Sequence, residues 1–324
     1  MSVINRRQVV QLIGGALASS VALSHAQQGV TPRIFVGYPP GGIADGLARI
    51  LAPLMTKTDA PMVVENKAGA SGQIAAEWVK NSAPDGLNLL LTPLNALALV
   101  PLLYRKPMYN GVRDFMPLGA ICDHSCAIAV NGASPHRTLP EFLAWCKSNP
   151  SQANFATTGA GSSPHLLGVL LSREAHVPLT HVPYKGTAPA LQDLMGNQVS
   201  SSVNPLPTML EYHRAGKIRI LAVTNPKRVA SIPEVPTFAE LNLGSLTYTE
   251  RYGMFASPRT PEPIASRLED QVRKAVTSNA MAEAAKKFEV QPLDGNAAAL
   301  KKTLEADSRR WAELVKATGI QLDS

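Results

Sequence analysis

Arg33-Ile34-Phe35-Val36-Gly37-Tyr38-Pro39-Pro40-Gly41-Gly42-Ile43-Ala44-Asp45 is the stretch whose reading decides the fold. Its first four residues read as a short strand and Tyr38 to Gly42 as a glycine loop. A helix then follows from Ile43, with Leu47, Ile50, Leu51 and Leu54 at helical spacing. The order returns at once: Met62 to Glu65 as strand, Lys67 to Gly72 as loop, and a helix through Trp78. Leu87 to Leu91 is a third strand, introduced by the turn Pro84-Asp85-Gly86. Such alternation predicts an α/β architecture, a parallel sheet covered by helices.

A second series starts after Asn131. Asn154 to Thr157 is its strand, Gly159-Ala160-Gly161-Ser162-Ser163 its loop, and His165, Leu166, Leu170 and Leu171 lie on its helix. Leu179 to Val182, the loop Pro183-Tyr184-Lys185-Gly186 and a helix through Leu191 and Leu194 come next, then a strand from Lys217 to Val223. Proline-rich sequence (Pro226, Pro233, Pro236) leads to a strand from Tyr248 to Ala256. The tail from Pro261 is helical and ends in an amphipathic helix around Leu304, Trp311 and Leu314. Two series and a tail suggest two lobes.

Met1 to Ala26 reads as a secretory leader: Arg6 and Arg7, an apolar run from Val9 to about Leu23, and the cleavage pattern Ser24-His25-Ala26. The adjacent arginines fit the twin-arginine route, and an ordinary basic leader fits them equally; a leader retained as an anchor is a further alternative. Either export route takes the protein out of the cytoplasm. In the 324-residue chain, 45% hydrophobic and 17% charged residues exclude disorder. After the leader no apolar run approaches the roughly 20 residues that cross a bilayer. The formal charge of +7 is scattered in short clusters such as Lys227-Arg228 and Lys286-Lys287. No basic stripe interleaves with aromatics, so nucleic acid is not an expected partner.

Cys122, Cys126 and Cys146 make an odd count, which leaves at least one thiol unpaired in a monomer. Four extended residues would hold Cys122 and Cys126 roughly 13 Å apart, too far for a disulfide unless the segment turns. Cys122-Asp123-His124-Ser125-Cys126 has no second ligand cluster in the sequence, so no metal is expected.

The loops carry the chemistry. Pro39 to Gly42, Thr158 to Ser163 and Tyr184 to Gly186 each stand between a strand and a helix, where parallel sheets bind ligands. Free N–H groups at a helix start hold an anion without Arg or Lys, and Thr158, Ser162 and Ser163 add hydroxyls. Carboxylate binding is the chemistry this favours. Asp45 would repel such an anion and is expected to satisfy backbone amides of the first helical turn. His165 either donates to the ligand or anchors its loop. Enzyme templates fail: Pro164 stands where the dinucleotide fingerprint needs glycine, Gly216-Lys217-Ile218 is no P-loop, and no Gly-x-Ser-x-Gly elbow is present. No catalytic residue and no cofactor is expected. A secreted α/β hydrolase is the rival from another class.

Five segments occur in order: Tyr38 to Asp45, Val64 to Gly72, Ala83 to Gly86, His181 to Gly186, and Ala215-Gly216-Lys217 to Thr224. Together they resemble the Bug-type periplasmic solute-binding receptors of tripartite tricarboxylate transporters, across essentially the whole mature chain. The resemblance implies a two-lobed periplasmic-binding-protein (Venus flytrap, type II) fold, each lobe a sheet flanked by helices. Lobe 1 would combine 27–127 with 250–324, and lobe 2 would span 128–249. Strands near Ala127 to Asn131 and Tyr252 to Ala256 would cross between them. It further implies a monomer that captures a small carboxylate and delivers it to transporter membrane subunits, or to a sensor protein.

Carried over from the resemblance, the ligand positions are Tyr38, Pro40, Gly41, Gly42 and Ile43, then Thr158, Gly159, Gly161, Ser162, Ser163 and His165, with Tyr184, Lys185, Asn204 and Arg251. Ile43 stands where a small or hydroxylated residue is common, which makes that wall drier. Ser200 to Val203 replaces usual acidic residues, and Arg251 replaces a usual tryptophan. Arg251 is expected to pair with a second acidic group on the ligand or with a lobe residue; a surface arginine near the hinge is the alternative.

Overall fold

The structure, a computed structural model, describes residues 31–56 and 61–321; the expected leader lies outside them. Two sheets form the frame. The first runs β2 (Val63–Asn66), β1 (Arg33–Val36), β3 (Asn88–Pro93), β10 (Glu250–Ala256), β4 (Met116–His124) and β11 (Gln291–Pro292). The second runs β7 (Thr180–Pro183), β6 (Asn154–Thr157), β8 (Ser201–Pro205), β5 (Cys126–Asn131) and β9 (Ile218–Val223). Only Ser125 separates β4 from β5, so the chain passes from one sheet to the other within a single residue.

Neither sheet is wholly parallel. β1 pairs in parallel with β2 and β3, but β10 runs antiparallel between β3 and β4. In the second sheet β6 is parallel to β7 and β8, while β5 runs antiparallel to β8 and β9. β5 and β10 each follow a passage between the sheets, whereas β11, antiparallel to β4, arrives from the helical tail. Strand–loop–helix periodicity reports parallel units and carries no information about strands that arrive from elsewhere in the fold.

Burial explains the apolar runs. Ile34 and Val36 pack on one face of the first sheet and Phe35 on the other, all fully buried, as a strand covered on both sides requires. Helix α1 (Ile43–Met55) lays Leu47 and Leu51 onto the Ile34 face, where Leu268 and Val272 of α8 (Glu262–Val276) and Met281 of α9 (Asn279–Phe288) join them. Each fully buried leucine there stabilises the fold by about 1.5–3 kcal/mol. The Phe35 face is covered by α2 (Gln73–Lys80) and α3 (Asn95–Ala98), and by Leu300, Leu304 and Trp311 of α10 (Ala297–Thr318). The helical tail therefore clamps both faces of the first sheet.

The second sheet sorts its strands by the same alternation: Ile128 and Val130 enter one cluster, Ala127 and Ala129 the other. The helices beside it are α4 (Leu139–Ser148), α5 (Ser163–Glu174), α6 (Thr187–Met195) and α7 (Leu210–Arg214). Gly168 lets α5 sit directly on β6, because a Cβ there would lie 2.1 Å from the Phe155 ring. Cys122, Cys126 and Cys146 are all free and buried, and burial pushes their thiols up, Cys146 to about 12.

Candidate functional site

The site grows from strand ends. β1 stops at Val36, and Gly37 passes so close to Gly72 that a Cβ would meet its Cα at 2.6 Å. The chain then turns through Tyr38 to Gly42, with Gly41 at φ 86°, and enters α1 with no side-chain cap on Gly42. Asp45 instead braces the turn from within the helix. It accepts from the Gly41 amide (3.0 Å), from Arg49 Nε (3.0 Å) and from Asn66 Nδ2 (3.0 Å). Burial alone would raise the Asp45 carboxyl, but these donors together hold it below its ordinary range.

Two more helix starts face the same space. α5 is capped by Ser162, whose Oγ accepts from the His165 amide (3.3 Å), and α6 begins after Gly186 at φ 111° with no side-chain cap. Among the described residues no protein acceptor meets the amides of Gly42, Ile43 or Ala44, of Ser163, or of Thr187 or Ala188. Three helix N-termini, with unsatisfied N–H groups and the positive ends of their dipoles, thus border one cleft of about 400 Å³. The first-sheet side gives Tyr38 to Ala44, Pro93, Asn95, Glu250 and Tyr252; the second-sheet side gives Thr158, Ser162, Ser163 and Lys185 to Ala188.

Of the residues expected from the sequence, Tyr38, Pro40, Gly41, Gly42, Ile43, Thr158, Ser162, Ser163 and Lys185 line this cleft. Gly159 and Gly161 do not line it; at φ 151° and 79° they turn the loop that carries Thr158 and Ser162. His165 is a loop anchor: its Nδ1 accepts from the Gly161 amide at 3.1 Å, and its ring stacks on His181 with centroids 3.8 Å apart. Burial lowers His165 to about 4; burial and its imidazole neighbour lower His181 to about 3, so both rings are neutral at pH 7. Tyr184 donates its hydroxyl to Asp193 (2.5 Å), and Asn204 lies inside β8 donating to Ser202 Oγ (2.6 Å); neither lines the cleft.

Arg251 is not on the cleft wall. Its guanidinium clasps Asp123 through Nε and Nη2, both at 2.8 Å, and Nη1 donates to Thr303 (2.8 Å). Strand periodicity is the reason. Glu250 and Tyr252 line the cleft, so the residue between them on β10 presents its side chain to the opposite face. Of the two partners expected for Arg251, an acidic group on the ligand or a residue of the lobe, it meets the second kind here, in a cross-strand ion pair with Asp123, its register partner on β4.

Sequence reasoning passed over Asn95 and Glu250. Asn95 opens α3 at the end of β3, buried, with Oδ1 lacking any partner. Glu250 is 7% exposed; Ser163 Oγ donates to its Oε2 at 2.5 Å while Oε1 has no donor. Burial pushes its carboxyl up to about 7, against the Ser163 hydrogen bond and with a further push from Asp307. An acidic residue opening an otherwise buried strand was the available signal. Further links tie the two halves together: Ser71 Oγ to Ala160 O (2.5 Å), Arg214 to Glu289 (2.6 Å) and Arg173 to Ala317 O (2.7 Å).

Two helix-flanked sheets around one amide-lined cleft define a two-lobed solute-binding fold of the periplasmic type. Residues 43–320 match the family described as Tripartite tricarboxylate transporter family receptor, and the chain belongs to that family. Protein BugT of Bordetella pertussis is 32% identical over 292 residues, 90% of each chain. The solved periplasmic binding protein BugD superposes with a TM-score of 0.84 at 32% identity, covering 91% of this chain and 99% of that one. MatC from Rhodopseudomonas palustris, solved with bound malate, has a TM-score of 0.82 at 29% identity over 88% of this chain and 98% of its own. Membership implies a periplasmic location and a binding role rather than a catalytic one.

Proposed function

We propose that this protein is an extracytoplasmic receptor that captures a small carboxylated solute in the cleft and hands it to the membrane subunits of a tripartite transporter, performing no chemistry on it. The observation that carries this reading is the convergence on one cleft of three helix N-termini that keep open amides, those of α1 and α6 without a side-chain cap and that of α5 with Ser162 satisfying only the His165 amide. The amides of Gly42, Ile43 and Ala44 would receive the carboxylate from one side, with Ser163, Thr187 and Ala188 opposite. Lys185 and Lys287, which line the cleft, the latter with its ammonium over the Phe288 ring, add a diffuse attraction for anions. The malate in MatC supports a carboxylate ligand without specifying this chain's own.

Residues 27–127 with 250–324 would act as one lobe and 128–249 as the other. A ligand bridging both favours the state in which they meet, by its differential affinity for that state. The protein is exported by its leader and acts as a monomer. A thermal-shift panel of di- and tricarboxylates, aromatic acids and amino acids tests the reading. A true ligand at 100 times its dissociation constant adds about 2.7 kcal/mol of stability. Turnover of an ester or amide substrate, with no carboxylate raising the melting temperature, would overturn it.

A further inference from the structure

We propose that Glu250 makes the cleft selective for carboxylates that also carry an ammonium group, its unpaired Oε1 accepting from that group while the helix starts hold the carboxylate. The inference rests on the carboxylate-capture reading above and names the class within it.

The geometry is that of a bipolar site. Glu250 opens β10 on the cleft wall, nine-tenths buried, and only one of its two oxygens has a donor. Ser163 spends its hydroxyl on Oε2, so it has no proton left for a ligand. A buried carboxylate oxygen with no donor is costly, and a binding partner that supplies one recovers that cost. A ligand built only of carboxylates would bring negative charge against Glu250. A zwitterion meets amide donors at one end and an acceptor at the other.

No protein cation neutralises Glu250 among the described residues. Tyr38 and Tyr252 lie near it from the cleft side, and Tyr248 and Cys126 from behind, all with burial pushing them toward their neutral forms. Asp307 faces it from α10 with like charge, and His124 is turned to its backbone oxygen, Nδ1 at 3.1 Å. Elsewhere on the cleft wall, Arg214 is already paired with Glu289, Glu211 is acidic, and Lys185 and Lys287 are not bonded to Glu250. With its carboxyl raised to about 7, Glu250 sits near half-protonation at neutral pH. An arriving ammonium favours the ionised form, whereas a plain dicarboxylate favours the protonated one.

The test is calorimetric titration of the exported protein with matched pairs: propionate and alanine, succinate and aspartate, glutarate and glutamate, phenylpropionate and phenylalanine. At pH 8 an amino acid is expected to bind about tenfold or more tightly than its unaminated match. That advantage narrows at pH 6 and disappears in Glu250→Gln, which keeps the size and removes the charge. An advantage for the unaminated acid at pH 8, or an advantage untouched by Glu250→Gln, overturns the inference while carboxylate capture stands. If no acid of either set binds, carboxylate capture falls and the inference with it. The pH comparison on the unsubstituted protein decides the question even if the variant folds poorly.

Discussion

Ser163 Oγ donates to Glu250 Oε2 across 2.5 Å, joining the first residue of α5 to the first residue of β10 and so the second-sheet half to the first. It is the one donor the buried carboxyl has among the described residues, and it acts against the burial that raises that group to about 7. Ser163→Ala should therefore move Glu250 further up. A carboxyl-carbon NMR titration reads the shift, and an unchanged midpoint would contradict the bond.

The same raised carboxyl has a stability consequence. Its folded value, about 7, lies above the ordinary 4.5, so its contribution is fully present below pH 4.5 and is lost as pH rises through 7. Glu250→Gln, free of that liability, should be the more stable protein at pH 8 in the absence of ligand, by roughly 3 kcal/mol at most. At pH 4 the two should be nearly equal. Urea midpoints at both values check this; equal midpoints at pH 8 would refute the burial argument.

His165 and His181 give the opposite slope. Both are held neutral, at about 4 and 3, below the ordinary 6.5, so their contribution is present above pH 6.5 and is lost as pH falls toward those values. His165→Asn keeps an acceptor for the Gly161 amide, and His181→Gln keeps a partner for Thr157 Oγ1, which now sits 2.7 Å from Nε2. The double variant should lose less stability than the wild type between pH 6.5 and 4. Parallel curves would mean the stacked rings do not sense pH.

Arg251→Ala should leave ligand affinity within about twofold, since the side chain clasps Asp123 away from the cleft. It should lower stability by about 1–3 kcal/mol, less than a fully buried pair costs because Arg251 and Asp123 keep 21% and 17% of their surface. Calorimetry with the identified ligand and a urea melt separate the two effects. A tenfold loss of affinity would return Arg251 to the site.

Gly168→Ala asks whether α5 is seated as described. The new methyl would have to displace the Phe155 ring, at a cost of about 1–3 kcal/mol. A variant as stable as the parent in a urea melt would mean that α5 and β6 are further apart.

How much of this was legible beforehand follows from what periodicity records. Arg33–Val36 and Asn154–Thr157 were readable to the residue, because a buried apolar run bounded by a glycine loop has few alternatives. β8 was not read as a strand: Ser201, Ser202 and Asn204 are polar yet wholly buried, held by bonds such as Ser201 Oγ to Asn154 O and Asn204 Nδ2 to Ser202 Oγ that a linear pattern does not show. The loops of the site were visible because glycine and hydroxyl residues cluster there. Glu250 was not, because its role depends on Ser163 arriving from 87 residues away. Arg251, the neighbour with the more conspicuous charge, was chosen in its place, and only knowing which face of β10 meets the cleft separates the two.

The claim that helix-start amides capture a carboxylate is tested most directly by one calorimetric comparison. The tightest-binding acid from the panel is titrated at pH 7 beside its own primary amide, which keeps the shape and removes the charge. The expected result is measurable binding of the acid and a loss of about a hundredfold or more for the amide, since hydrogen bonds to a charged acceptor are roughly twice as strong as neutral ones. Equal affinity for acid and amide would contradict capture by the amides of Gly42, Ile43 and Ala44.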